Sequence, residues 1–361
     1  MEKISDKQSK TIDILKVLFT VFVVYIHADQ TRELFFSDGI TKINLPTYLS
    51  YFEFLVSKVI SGCANAGFFL LSSILLYRKE FTWVSNTKKK IRTLVIPYFL
   101  ANTVIIVIYL VFQNLPFTKQ FFGNPDNIIL NFTFVGWLKA YGIDGSLPIN
   151  GPTWFIRNLF ILNILSILIK KAIDKYPKMY LAFLVINICI NNFTFNGLLQ
   201  PLYLFFWSLG YYIIKYRNRF KLDIKYIYIY IMYILVLVFK MYVYINNIVI
   251  YNVFLQIIDC IYLLISILFW YCVTSRILIK INSNCITALS KYKFLIYIFH
   301  VIAMNFISKV VIKILPINPL ILLLEYIFIP IITIVLIVVF GMFISRYFPR
   351  LYSTLIGSRK N

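Results

Sequence analysis

Residues 78–112 read RKEFTWVSNTKKKIRTLVIPYFLANTVIIVIYLVF. Six Lys and Arg fall in the first sixteen positions, 78–93, and none of the next nineteen, 94–112, carries a charge. A helix needs about 20 apolar residues to cross the hydrocarbon of a bilayer, and a basic segment beside such a run marks its cytoplasmic end. Outward from here the same alternation repeats. Ten apolar stretches, at about 12–30, 60–77, 94–112, 153–169, 179–193, 198–214, 226–245, 253–273, 294–314 and 320–344, read as helices. The N-terminal arm, the tail and the loops 78–93, 170–178, 215–225 and 274–293 hold 26 of the 36 Lys and Arg. The intervening segments 31–59, 113–152, 191–197, 246–252 and 315–319 hold only 5. This banding predicts an all-α integral membrane protein of about ten transmembrane helices, with both termini in the cytoplasm.

Composition agrees. Sixty per cent hydrophobic residues and a mean hydropathy of +0.81 exclude an ordinary soluble domain. The net charge of +22 then belongs to the cytoplasmic leaflet, not to a nucleic-acid partner. Ten spans leave no room for a separate globular domain, so residues 1–361 read as a single transmembrane domain. Its first run is expected to be an uncleaved span, being too long for a signal peptide and without a small-residue cleavage site. Segment 113–152 is long enough for a re-entrant piece or a short lid. The cysteines Cys63, Cys189, Cys260, Cys272 and Cys285 have no paired spacing and no His beside them, so no metal site is expected. The Gly-rich phosphate loops GxxxxGK[ST] and GxGxxG are absent, which excludes a P-loop transporter.

Ionisable side chains inside spans are costly and are functional candidates by default. They are Lys16, His27, Arg157, Lys240, Asp259, His300 and Glu325, with Lys309 and Lys313 near a span end. Both histidines of the chain are among them. Lys16 and His27 are eleven residues apart, about three helical turns, which sets them on one face roughly 16 Å apart along the axis. Lys16 either holds an anionic donor or extends to the headgroups; His27 either activates an acceptor or caps the helix end beside Asp29. The cluster Lys88-Lys89-Lys90-Ile91-Arg92 is either topogenic or a phosphate site. In 151–159, Trp154 suits the outer interface. Arg157, one turn deeper, wants a partner: Asp259 or Glu325 in an ion pair, or an acceptor sugar.

Together these residues resemble the acyltransferase-3 family of bacterial ten-span membrane acyltransferases, motif by motif and over the whole chain. Asp13 and Lys16, then ten residues, then His27 are similar to the family's acidic residue, Arg and His, with Lys in the place of Arg. Phe68-Phe69-Leu70-Leu71-Ser72-Ser73 looks like its Phe-Phe-x-x-Ser-Gly pattern, with Ser73 in the Gly place. Lys89 and Arg92 before Pro97-Tyr98 resemble an Arg-x-x-Arg motif. Trp154-Phe155-Ile156-Arg157 and Tyr297-Ile298-Phe299-His300 resemble two further signatures. The resemblance implies transfer of an acyl group, most often acetyl from acetyl-CoA, to a hydroxyl of a cell-surface glycan or its lipid-linked precursor, in the bacterial inner membrane. It implies no bound cofactor, with acetyl-CoA or another acyl-CoA as donor substrate. His27 and His300 are then the catalytic candidates, Lys16, Lys89 and Arg92 the donor-binding ones, and Trp154 and Arg157 the acceptor-binding ones. A Lys at 16 puts a point charge where the planar Arg fork is usual. The alternative class is a transporter or flippase of lipid-linked polysaccharide, holding pyrophosphate with Arg157 and Lys240. A glycan polymerase would want an external loop rich in Arg and His, and 113–152 contains neither.

Overall fold

The computed structural model describes residues 6–29, 33–190, 197–216, 225–248, 252–280 and 284–358. Parts of the segments assigned from charge at both chain ends and at 191–197, 215–225, 246–252 and 274–293 lie outside the described residues. Every apolar stretch is mainly helical where described. The protein is an α-helical membrane protein: among the described residues six helices are long and apolar enough to cross a bilayer, at Thr47–Tyr77, Trp83–Asn114, Tyr226–Ile245, Leu255–Lys280, Ile286–Ile314 and Pro319–Tyr347. A seventh forms if Gly151–Ile164 and Ser166–Lys175, bent by 56°, count as one. The helix Asp6–Ile26 has no uninterrupted apolar stretch of that length, because Lys10, Asp13 and Lys16 are spread through its first half. The helices Pro177–Ile190 and Pro201–Tyr216 have 14 and 16 residues, short of a full crossing.

Two spans begin earlier than hydropathy suggests. One starts at Thr47, behind Pro46, and passes through a π-helical stretch at Phe54–Ile60 before a break at 61–63. The other starts at Trp83, so Lys88–Lys90 and Arg92 sit on helix and not in a loop, with a π-helical stretch at Ile91–Val95. Lys and Arg are good helix formers, so a basic cluster marks the membrane boundary without ending the helix. Segment 31–59 also holds the strands Glu33–Phe36 and Gly39–Lys42, paired antiparallel in a hairpin.

The chain packs as two compact units. The first comprises Met1–Val23, Lys58–Lys90 and Asn158–Ser290. Within it Pro201–Tyr216 lies against Ala64–Tyr77, where Ser73 donates to the Trp207 carbonyl at 2.5 Å. Gly210 permits that approach: a Cβ there would come within 2.7 Å of the Ser73 side chain. On Tyr226–Ile245, Tyr233 stacks on Phe269 with centroids 3.9 Å apart, and Lys240 meets Asp259 at 2.5 Å and lies over the Tyr262 ring.

The second unit comprises Val24–Ser57, Ile91–Arg157 and Lys291–Asn361. Its hairpin buries Leu34 and Phe36 with Ile43, Leu49 and Leu322. Segment 113–152 is folded, as short helical turns and the helix Phe134–Ala140, with Ile129 and Ala140 packed on Ile106. Asn318 caps the last long helix by accepting from the Ile321 N–H at 3.0 Å.

Candidate functional site

Within the second unit the two histidines meet: the rings of His27 and His300 have centroids 5.2 Å apart. His27 follows directly on the helix Asp6–Ile26 and closes it, its N–H donating to the Val24 carbonyl at 3.1 Å. It stands one residue past the regular helix that carries Lys16, in a tightened last turn. The cause is local. The Tyr25 carbonyl is taken by the Ala28 N–H and by Ser57 Oγ at 2.6 Å, so the last turn tightens to i→i−3 bonding. Tyr326 holds Ser57 in turn, with its hydroxyl 2.7 Å from Ser57 Oγ. The half-buried His27 ring is therefore placed by a braced turn, not by a free helix end.

His300 is fully buried on Asn284–Ile314. Its Nδ1 lies 2.9 Å from the Tyr297 carbonyl and 3.0 Å from that of Ile296. Carbonyls only accept, so Nδ1 carries the proton and Nε2 keeps the lone pair. Nε2 is buried and has no hydrogen-bond partner among the described residues. A buried acceptor left unpaired costs stability, which gives a lone pair held ready for a proton. Tyr297, one turn earlier, donates to the Pro152 carbonyl at 2.5 Å and packs on Phe155.

The segment that Tyr297 touches is fixed a second time, by Asn102. This buried amide donates to the Tyr98 carbonyl at 2.8 Å and to Thr153 Oγ1 at 3.1 Å, and accepts from the Asn150 N–H at 3.1 Å. Asn102, Ser57 and Tyr326 are bracing residues that the sequence motifs do not include. Their signal was a polar group inside an apolar run, weaker than a charge.

Trp154 begins the helix Trp154–Ile164, half-buried, with its ring 6.2 Å from that of Phe155. Arg157 donates to the carbonyls of Gly142 at 2.5 Å, Ser146 at 2.7 Å and Gly145 at 3.3 Å. These oxygens, not the expected carboxylates of Asp259 or Glu325, receive its described hydrogen bonds. Asp259 pairs with Lys240, and Glu325 accepts from Ser308. The Asp259 carboxylate also neutralises Lys240, one of the two cations a pyrophosphate carrier would need. In the same extramembrane turn, Ser146 donates to Asp144 at 2.7 Å and holds its carboxyl below the usual range.

Among the cationic candidates Lys16, in the first unit, reaches back to Asp13 at 3.2 Å and stays a quarter exposed. Lys89 and Arg92 are exposed on the helix Trp83–Asn114. No group of three or more His, Cys, Asp or Glu able to hold a metal occurs among the described residues.

Apolar helices of crossing length, with a histidine pair within one unit, define a polytopic α-helical membrane protein. The chain belongs to the acyltransferase-3 family, whose model, described as an acyltransferase domain, matches residues 9–352. It is similar to the succinoglycan biosynthesis protein ExoH of Rhizobium meliloti (strain 1021), at 26% identity over 181 residues. That match covers 48% of this chain and 45% of the relative, so it spans about half the length of each. No solved structure is significantly similar.

Proposed function

We propose that this chain is an O-acyltransferase of the bacterial inner membrane, moving an acyl group, most simply acetyl, from acyl-CoA to a hydroxyl of a cell-surface glycan or its lipid-linked precursor. Family membership supports the reaction class, and the succinoglycan biosynthesis relative supports a glycan acceptor. The observation that carries the catalytic assignment is the pairing of His27 with His300, whose Nε2 lone pair is unengaged. In the reaction His27 removes the proton of the acceptor hydroxyl as its oxygen attacks the thioester carbonyl. The C–S bond breaks and the new ester forms. The CoA thiolate leaves and takes up the proton. His300 orients the acyl group and lends its lone pair beside the base.

The reading includes ten spans, cytoplasmic termini and one functional transmembrane domain. Lys16, Lys89 and Arg92 then face the phosphates of a donor arriving from the cytoplasm. Trp154 and Arg157 lie on the acceptor side, with Arg157 shaping the turn 142–146. The test is acyl transfer from radiolabelled acetyl-CoA, with succinyl-CoA in parallel, to glycan in membranes containing the protein. Glycan labelled from neither donor overturns the proposal.

A further inference from the structure

A cavity of about 190 Å³ opens in the second unit between the hairpin, the segment 119–127 and the helix Asn284–Ile314. We infer that it is a saccharide subsite, which holds one ring of the acceptor chain away from the sugar that is acylated. The inference rests on the glycan-acceptor reading above.

The walls offer two kinds of surface. Phe121, Phe122 and Phe306 line the cavity with aromatic rings, Phe306 lying edge-on to Phe121 at 5.6 Å and tilted to Phe122 at 6.1 Å. Asn124, Asn305 and Lys309 line it as well, and add polar groups. Asn124 accepts from the Asp126 N–H at 3.0 Å, which fixes its amide and leaves the NH₂ as donor. Lys309 is pinned by the carbonyls of Phe35 at 2.7 Å and Phe121 at 2.6 Å, which ties the hairpin to the 119–127 segment. A sugar ring matches both surfaces: its C–H face suits the negative face of an aromatic ring, and its hydroxyls donate to and accept from amides. A lipid tail would set the amide groups of Asn124 and Asn305 against hydrocarbon, which is costly. The volume suits a single ring, below the roughly 300–1,000 Å³ of pockets that enclose larger ligands.

Helix geometry separates this subsite from the histidines. At about 100° per residue, Ile302, Asn305 and Lys309 fall on the side of the helix away from His300. A ring seated in the cavity cannot present its hydroxyl to the His27–His300 pair. It contributes remote binding energy, which positions a neighbouring ring for reaction. The subsite thus reads the acceptor by chain length and by a sugar next to the reacting one.

The test uses the full-length protein in nanodiscs and fluorescently end-labelled oligosaccharides, size-fractionated from the producing cell's own surface glycan. Wild type should bind the longer fractions more tightly than the shortest. In Asn305→Ala that gain should shrink by about tenfold, the loss of one well-placed hydrogen bond, with binding of the shortest fraction unchanged. Asn124→Ala, on a different element, should act in the same direction. The subsite is overturned if both variants keep the full gain with length, if they weaken every fraction equally, or if wild type binds no fraction while native mass spectrometry finds lipid retained. Because this readout is equilibrium binding, it stands apart from turnover. A wild type that binds saccharide but transfers no acyl group would sink the enzyme reading and leave the subsite intact.

Discussion

Replacing His27 by Ala should abolish glycan acylation while the protein stays in the membrane at normal level. A positioned general base is worth about 10²–10⁴ in rate, and undiminished acyl ester by mass spectrometry of the glycan would remove His27 from the mechanism. His300→Ala should cost less, since its neighbour still supplies the base. Lys16 separates two accounts of the donor site. Its pair with Asp13 lies at 3.2 Å and is partly exposed, so the pair itself is worth about 0–1 kcal/mol at most. Lys16→Arg should keep or improve acyl-CoA turnover, because a fork grips phosphate better than a point charge; Lys16→Ala should impair it severely. An alanine variant with normal turnover would leave Lys16 a headgroup contact only. The histidines could be picked out from sequence because a membrane penalises them wherever they stand. Their meeting could not, since they lie near opposite ends of the chain and only tertiary packing joins them.

Between residue and fold, the turn 142–146 carries a sharp demand. Gly142 has φ +57°, and a Cβ there would stand 2.5 Å from Arg157 Nη1. Gly142→Ala should therefore cost about 1–3 kcal/mol, read as a lower midpoint of thermal unfolding in detergent; an unchanged midpoint would contradict the cradle. The hairpin carries a pH dependence. Lys313 hydrogen-bonds Asp38 and, with a backbone contact, holds its carboxyl below the ordinary 3.8. A carboxyl lowered on folding contributes fully above that ordinary value and loses its contribution as pH falls through the lower, folded one. Proteolysis within 33–42 should thus be no faster at pH 5 than at pH 7, and faster near pH 3. The hairpin had a signal of its own, Ser37-Asp38-Gly39 between Phe36 and Ile40, which a search for long apolar runs passes over. Helix starts at Thr47 and Trp83 were hidden for a related reason: hydropathy reports what lipid tolerates, while backbone hydrogen bonding continues past charged residues.

For the whole molecule the charge banding makes a direct claim about sidedness. A Cys placed at 88–90 should resist an impermeant thiol reagent added outside cells, and one placed at 120–127 should react; the reverse would overturn the topology and the donor side with it. Class and family could be read from sequence because both rest on features spread along the chain, the alternation of charge and the order of motifs. The division into two compact units could not, because it depends on which helices pack together. One pair in the first unit bears on how the chain is made. Tyr226–Ile245 carries Lys240, and its counter-ion Asp259 lies on the next helix, Asn252–Arg276. During synthesis the lysine reaches the translocon first, where an uncompensated charge costs at most about 2.5–3.5 kcal/mol, the value at a helix centre. Entry as a two-helix unit, with Lys240 waiting in the channel until Asp259 emerges from the ribosome, removes that cost and fixes an order of insertion.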